Sequence, residues 1–232
     1  MESPKKYVPR FMLPPEERVY SAERVINNIM GKMSPQTFDA LTNQAKTVPL
    51  LDEPDRIKLK AEDLEKVKPV ANKLIKNVME CDEKGPLIET YTKFFYEMTI
   101  NPTIVKRQGR ALIMMVNEEI STIISAYTEN PENTLEDTLK LYSLIKFIGL
   151  LYQMNHKAVT VDYILMIADQ FRSLEHINVL GRIISQNIDK LLTEDTFKAK
   201  SSSYREVIEE YVEGDVRGPM YFLLKDMLVE WH

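Results

Sequence analysis

The feature that most constrains the fold is a series of apolar segments at helical spacing, separated by turns that contain proline. Breaks of this kind occur at Ser34-Pro35, Gly85-Pro86, Asn101-Pro102 and Asn130-Pro131. In each, a proline suited to the first turn of a helix follows a capping or turn residue. The chain has only 7 glycines in 232 residues and almost no alternating apolar and polar runs, so strands are not expected. The sequence therefore predicts an all-α protein.

The predicted helices group into hairpins whose first helices begin near residues 21, 62, 103, 160 and 203. Apart from one longer step, this spacing is close to the roughly 40–47 residues of HEAT-type repeats. The predicted hairpins pair 21–33 with 35–46, 62–81 with 86–99, 103–127 with 134–154, 160–174 with 177–192, and 203–213 with 218–231. We therefore predict an α-solenoid of about five HEAT-like antiparallel helical hairpins over residues 21–232, preceded by a tail of residues 1–20.

Two predicted helices differ in how much of their surface is apolar. The segment LKLYSLIKFIGLLYQM, from Leu139 to Met154, has apolar residues on nearly every face, which is typical of a helix between neighbouring repeats. The segment 177–192 has a single apolar stripe, with Arg182 lying off it. We expect the second helix to face one neighbour and otherwise water.

Composition argues against several classes of function. The formal net charge of -5 is unfavourable for a general nucleic-acid binder, which needs a surplus of lysine and arginine. One cysteine, Cys81, and three separated histidines form neither a disulfide framework nor a metal site of usual spacing. We interpret His156 as a residue at a helix end whose side chain satisfies the last carbonyls, and Cys81 as a partly buried apolar residue.

Linear catalytic motifs are also absent from the sequence. It contains no glycine-rich phosphate loop, no nucleophile elbow and no zinc-protease motif. The amino-terminal segment has no apolar core of a signal peptide, and no apolar run reaches the length of a membrane span. We expect a soluble cytoplasmic protein that is not an enzyme, holds no cofactor or metal, and has no membrane association.

Four segments resemble, in the correct order, the HEAT-repeat middle domain of eukaryotic translation initiation factor 4 gamma. They are AERVINNIMGKMSPQTFDAL at 22–41, GRALIMMVNEEI at 109–120, SLIKFIGLLYQMN at 143–155 and VRGPMYFLLKDMLVEW at 216–231. The third segment is the most specific match. The resemblance extends from about residue 21 to the end of the sequence.

The resemblance implies a scaffold that binds and activates a DEAD-box RNA helicase, initiation factor 4A, in the recruitment of mRNA to the ribosome. It also implies that the first and last repeats contact the helicase. The residues expected at these contacts are Met30, Lys32, Met33 and Phe38 in the first hairpin, and Lys225, Asp226 and Trp231 in the last. Periodicity allows another interpretation, in which Met30, Met33 and Phe38 belong to the core and Trp231 caps the last repeat.

The tail resembles the motif Tyr-x4-Leu-apolar, with which the same family binds the mRNA cap-binding protein, initiation factor 4E. The residues that match are Tyr7, Phe11, Met12 and Leu13, with Lys5 and Lys6 preceding them. In the alternative interpretation the tail folds back and covers an apolar groove on the first repeats.

Two further alternatives concern RNA and the choice of partner. The one basic cluster of the sequence is a candidate path for mRNA, although acidic residues interrupt it; it consists of Lys58, Lys60, Lys66, Lys68, Lys73 and Lys76. The same type of solenoid also serves as a scaffold in splicing, nonsense-mediated decay and deadenylation. A related scaffold of mRNA processing or decay, with a different helicase or protein partner, is therefore the alternative function.

Overall fold

The computed structural model describes residues 20–52, 58–100, 106–214, 218 and 220–231. Within these ranges the chain forms eleven α-helices and one short 3-10 turn, Leu174–His176, and contains no strand. The helices are α1 Ala22–Met30, α2 Phe38–Lys46, α3 Ala61–Met79, α4 Leu87–Ile100, α5 Lys106–Glu129, α6 Leu135–Gln153, α7 Val161–Asp169, α8 Ile177–Ser185, α9 Ile188–Leu191, α10 Asp195–Glu213 and α11 Tyr221–Glu230. The prediction of an all-α fold is confirmed.

The helices pack as a solenoid of hairpins in two layers. The hairpins are α1–α2, α3–α4, α5–α6, α7–α8 and α10–α11. In one layer α1, α3 and α5 lie side by side, and α7 packs against α10. In the other layer α2, α4, α6, α8 and α11 contact one another in that order. Each hairpin thus buries its apolar faces against the hairpins before and after it.

Several helix ends follow the capping residues of the sequence. Thr134 and Asp137 form a capping box at the start of α6, in which the Asp137 N–H donates to Thr134 Oγ1 at 3.1 Å. Ser21 and Thr160 accept hydrogen bonds from the first turns of α1 and α7. Asn155, after α6, has φ 54°, and the N–H of His156 reaches back to the carbonyl of Leu151 at 3.0 Å. This left-handed residue ends α6.

Several predicted helix bounds differ from the structure: the helix expected from residue 218 begins at Tyr221, and the helix expected over 160–174 ends at Asp169. Two other helix starts also differ. The helix expected from residue 35 begins at Phe38, because the hydroxyls of Ser34 and Thr37 bond to each other at 3.0 Å in a turn. The helix expected from residue 203 begins eight residues earlier, at Asp195. The serine run does not break it, since Ser201 and Ser203 donate to the carbonyls three residues before them.

The second helix of the fourth hairpin is broken, whereas the sequence predicted one helix over 177–192. It stops at Ser185 and resumes at Ile188. At the break, Gln186 Nε2 donates to the carbonyl of Ile145 on α6 at 2.8 Å, and Gln153 Nε2 donates to the carbonyl of Gln186 at 2.7 Å. These side-chain amides join the break to helix α6.

Helix α6 lies at the centre of the molecule, as expected, and is buried on most of its surface. The exceptions lie near its start, where Leu135 and Leu139 are exposed. Arg182 on α8 faces water only in part, contrary to the sequence expectation, since 31% of its side chain is exposed. Its guanidinium lies 3.9 Å from the ring centroid of Tyr142 on α6 and forms an ion pair with Glu83. The cation and the aromatic ring therefore join the third and fourth hairpins.

Among the described helices, none combines the length and the apolar character needed to cross a membrane.

Candidate functional site

In the first hairpin, the four residues expected at a helicase contact differ in how far they are buried. Met30 has 0% of its surface exposed and Met33 6%, so both side chains belong to the core. Phe38 is partly buried and packs against that core. Lys32 is exposed in the turn between α1 and α2. Of the four residues, Lys32 therefore offers the most surface to a partner.

In the last hairpin, Trp231 is also a core residue. Its ring stacks on Phe197 of α10 with 5.5 Å between centroids, and its carbonyl accepts a hydrogen bond from Arg205 at 3.3 Å. Lys225 and Asp226 are exposed on α11, as expected for contact residues. Its packing on Phe197 agrees with the alternative interpretation of Trp231 as a residue that caps the last repeat.

The outer face of α11 carries two apolar residues that the sequence analysis missed. Phe222 and Val229 are 68% and 67% exposed and lie at positions i and i+7, with Asp226 at i+4 between them. These spacings place the three side chains on one side of a helix. The inward residues, Leu224 and Met227, are buried. We call Phe222, Lys225, Asp226 and Val229 the α11 face. The sequence could have indicated this face, because its residues lie on the side of the helix opposite to Leu224 and Met227.

Half of the predicted basic cluster, which lies on α3 and just before it, is paired with carboxylates in the described structure. Lys66 Nζ lies 2.5 Å from Asp52 Oδ2, Lys68 3.8 Å from Glu118, and Lys76 3.7 Å from Glu80. The remaining lysines of the cluster are Lys58, Lys60 and Lys73, and the first two of these precede α3. Since three of the six cations have carboxylate partners, they form a weaker site for a phosphate backbone than their number suggests.

The tail residues Tyr7, Phe11, Met12 and Leu13, expected to bind the cap-binding protein, lie outside the described residues.

The structure also forms a groove between α3, α5 and α6, which the sequence did not predict. It consists of two adjoining cavities of about 260 and 290 Å³ that share Met79, Ile123 and Lys140. We call this the α3–α5–α6 groove. The first cavity is also lined by Ala126, Tyr127, Asn130, Asn133, Asp137 and Leu141. The second is also lined by Asn72, Ile75, Lys76, Glu80 and Glu119.

Most charged groups of the groove already have partners. Lys76 pairs with Glu80 at 3.7 Å, and Lys140 pairs with Glu136 at 2.6 Å. Asp137 is held in the capping box, where hydrogen bonds from the hydroxyl and the N–H of Thr134 lower the pKa of its carboxyl. These contacts leave the lysines and Asp137 with little free capacity to bind a ligand.

Two polar groups of the second cavity have no such partner. Glu119 takes part in no ion pair or hydrogen bond within the described part of the chain. The Oδ1 atom of Asn72 is buried and accepts no hydrogen bond in the described structure. The Oδ1 atom is too deeply buried for a ligand to reach. The Glu119 carboxylate is what makes the second cavity suited to a ligand that carries hydrogen-bond donors.

The reactive side chains outside this groove are held in unreactive states. Burial raises the pKa of the Cys81 thiol to about 11, so the thiol stays protonated near neutral pH. The imidazole of His156 is buried between α4 and the turn after α6. Residues 20–52, 58–100, 106–214, 218 and 220–231 contain no group of three histidine, cysteine or carboxylate side chains that could hold a metal ion.

Comparison of the chain with models of protein families, and with curated proteins, finds no match.

Proposed function

We propose that the protein is a translation-initiation scaffold of the initiation factor 4 gamma middle-domain type. It binds the DEAD-box RNA helicase initiation factor 4A through its first and last repeats and activates it. The scaffold carries out no chemistry of its own. A second proposed partner is the cap-binding protein, initiation factor 4E, through residues 7–13.

The positions of the family-like segments support this proposal. The segment 22–41 forms the first hairpin, and the segments 109–120 and 143–155 lie largely in α5 and α6 of the central hairpin. The last segment includes α11. The resemblance therefore includes the first, central and last hairpins of a two-layer solenoid, and the proposed contacts lie at opposite ends of the series.

The observation that carries the proposal is the α11 face. Here Phe222 and Val229 expose about two thirds of their surface beside Lys225 and Asp226. Exposed aromatic and aliphatic side chains next to charges are typical of protein interfaces, where the apolar groups supply affinity and the charges supply specificity.

The proposed mechanism is a shift of population between conformations. A DEAD-box helicase has two lobes, and a scaffold that contacts both stabilises the lobe arrangement that fits its two ends. The shift cannot exceed the difference between the scaffold's affinities for the two arrangements. The proposal thus needs a stiff solenoid, and the continuous contacts from α2 through α4, α6 and α8 to α11 support it.

Binding of purified initiation factor 4A to the full chain tests the proposal. We expect Phe222→Asp to weaken helicase binding about tenfold or more, because the substitution places a charge in an apolar contact. Leu135→Asp is the matched control: Leu135 is also exposed, at 76%, but lies on α6. Affinity is measured by surface plasmon resonance and activation by helicase ATPase rate.

The proposal is contradicted if the wild-type chain binds no DEAD-box helicase, or if Phe222→Asp and Leu135→Asp have the same effect. Binding of a helicase of mRNA decay or splicing, in preference to initiation factor 4A, would favour the alternative scaffold function.

A further inference from the structure

We infer that the α3–α5–α6 groove binds a short peptide of a partner protein, in which a large apolar side chain stands next to a lysine or arginine. The inference does not depend on helicase binding, because the groove lies on α3, α5 and α6 and the proposed helicase contacts lie on the end repeats.

The first cavity fits the apolar side chain. Met79, Ile123, Ala126, Tyr127 and Leu141 form most of its lining. Its asparagines have hydrogen bonds of their own: Asn133 Nδ2 donates to the carbonyl of Tyr127 at 2.6 Å, and Asn130 Oδ1 accepts from the N–H of Glu132 at 3.0 Å. A cavity with an apolar lining and satisfied polar groups favours an apolar occupant.

The second cavity fits the cationic side chain. It is lined by Glu119, whose carboxylate has no counter-ion in the described structure. A carboxylate accepts hydrogen bonds, so it matches the donors of an ammonium or guanidinium group. A charge-assisted hydrogen bond to Glu119 would be stronger than a neutral one.

The charge of the lining argues against a phosphate or nucleic-acid ligand. Three carboxylates, Glu80, Glu119 and Asp137, stand against two lysines, Lys76 and Lys140. Both lysines are occupied by glutamates, Glu80 and Glu136. The unpaired charge is negative, so the groove repels an anion and attracts a cation.

The arrangement of the cavities identifies a peptide rather than a single small molecule. They differ in chemistry yet share Met79, Ile123 and Lys140 along their boundary. Two neighbouring side chains on one backbone can enter both cavities at once. An apolar anchor beside one charge-assisted contact is a common arrangement in peptide recognition.

A displayed library of random short peptides, selected on the full chain, tests the inference. We expect the selected peptides to carry lysine or arginine within one or two residues of leucine, methionine or phenylalanine. A synthetic peptide of the selected sequence then serves as the probe in fluorescence anisotropy. Selection of peptides without a basic residue would overturn the inference.

Two pairs of variants locate the binding site of that probe. Glu119→Gln should weaken binding about tenfold, because it removes the charge with little change of shape. Its control is Glu118→Gln, the adjacent residue, which lies outside the groove lining. Ala126→Trp should fill the first cavity and abolish binding, whereas Ser125→Trp, at the exposed neighbouring position, should not.

Equal binding by Ala126→Trp and the wild type would overturn the inference, since the peptide would then bind elsewhere. A further variant tests whether the groove instead binds the amino-terminal segment of this chain. If the full chain with Tyr7, Met12 and Leu13 replaced by alanine binds the probe more tightly, that segment competes for the groove and a partner peptide is contradicted. Unchanged affinity supports the partner peptide.

Discussion

At the scale of single residues, His156 shows how burial determines the state of a titratable group. Its Nε2 atom lies 2.7 Å from Thr99 Oγ1, and the N–H of Ala158 donates to its Nδ1 atom at 3.1 Å. Because Nδ1 accepts a hydrogen bond, the hydrogen of the neutral ring is on Nε2. The interpretation of this side chain as a cap for helix carbonyls was wrong. The imidazole instead joins α4 to the turn after α6.

Protonation of His156 should destabilise the fold. Burial lowers the pKa of its imidazole to about 4 from 6.5, and the charge of Lys157 adds to this. In the unfolded chain the ring takes up a proton as pH falls through 6.5, whereas in the fold it stays neutral until about pH 4. The stability that depends on a neutral His156 ring is therefore complete above pH 6.5, and it is lost as the pH is lowered from 6.5 to 4. The loss should approach about 3 kcal/mol.

Urea unfolding of the wild type and His156→Gln, at several pH values between 7 and 4.5, measures this contribution. As the pH is lowered, the free energy of unfolding should decrease more steeply in the wild type than in His156→Gln. Identical slopes for the two proteins would show that His156 does not titrate differently in the folded and unfolded states.

At the scale of secondary-structure elements, glycines permit close contacts between helices. A Cβ atom on Gly109 of α5 would lie 2.9 Å from the carbonyl oxygen of Thr99 and 3.2 Å from its Cα atom, both in the backbone of α4. On α8, a Cβ atom on Gly181 would lie 2.7 Å from the Cδ2 atom of Leu224 on α11. The backbone contact is the more demanding one, because backbone cannot rotate away as a side chain can.

Gly109→Ala should therefore destabilise the protein although alanine is the better helix former. The substitution gains up to about 1 kcal/mol of helix propensity, but the contact with Thr99 forces α4 and α5 apart, which should cost roughly 1–3 kcal/mol. Gly31→Ala is the matched control, since its nearest atom would lie at an ordinary 3.5 Å. Urea unfolding should give a lower midpoint for Gly109→Ala and no loss for Gly31→Ala.

The prediction fails if both glycine variants have the same midpoint. Such a result would mean that α4 and α5 separate without cost at Thr99.

At the scale of the whole molecule, stability should decrease from the centre of the solenoid toward its ends. Helix α6 packs against α3, α4, α5, α7 and α8, whereas α11 packs against α10 and α8. An ion pair also connects distant hairpins: Arg182 in the fourth bonds to Glu83, which precedes α4 in the second. In a solenoid each repeat is stabilised chiefly by its neighbours, and an end repeat has one neighbour fewer.

Hydrogen exchange of backbone amides should follow this gradient. We expect the slowest exchange in α6 and faster exchange in α1 and α11, because local opening requires less free energy where fewer contacts are broken. Mass spectrometry of peptic fragments from the full chain measures the rates. Equal protection of α6 and α11 would contradict the gradient and indicate that the chain opens as one cooperative unit.

The sequence by itself determined the helical class, the number of hairpins and most of the helix ends. These depend on local properties: the period of apolar residues, the capping side chains such as Thr134, and the prolines in the turns. The errors at Phe38 and Asp195 are errors of helix boundary, where hydroxyl groups can form alternative local hydrogen bonds.

Only the tertiary structure decided which apolar residues are covered. Met30 and Phe222 both lie in apolar stretches of the sequence, yet Met30 is fully buried and Phe222 is 68% exposed. Periodicity shows that a helix has an apolar face, but not whether another helix packs against it. The α3–α5–α6 groove likewise depends on the packing of α3 against the α5–α6 hairpin, from which α4 separates it in sequence. Such placements depend on contacts between distant segments, so a local pattern cannot contain them.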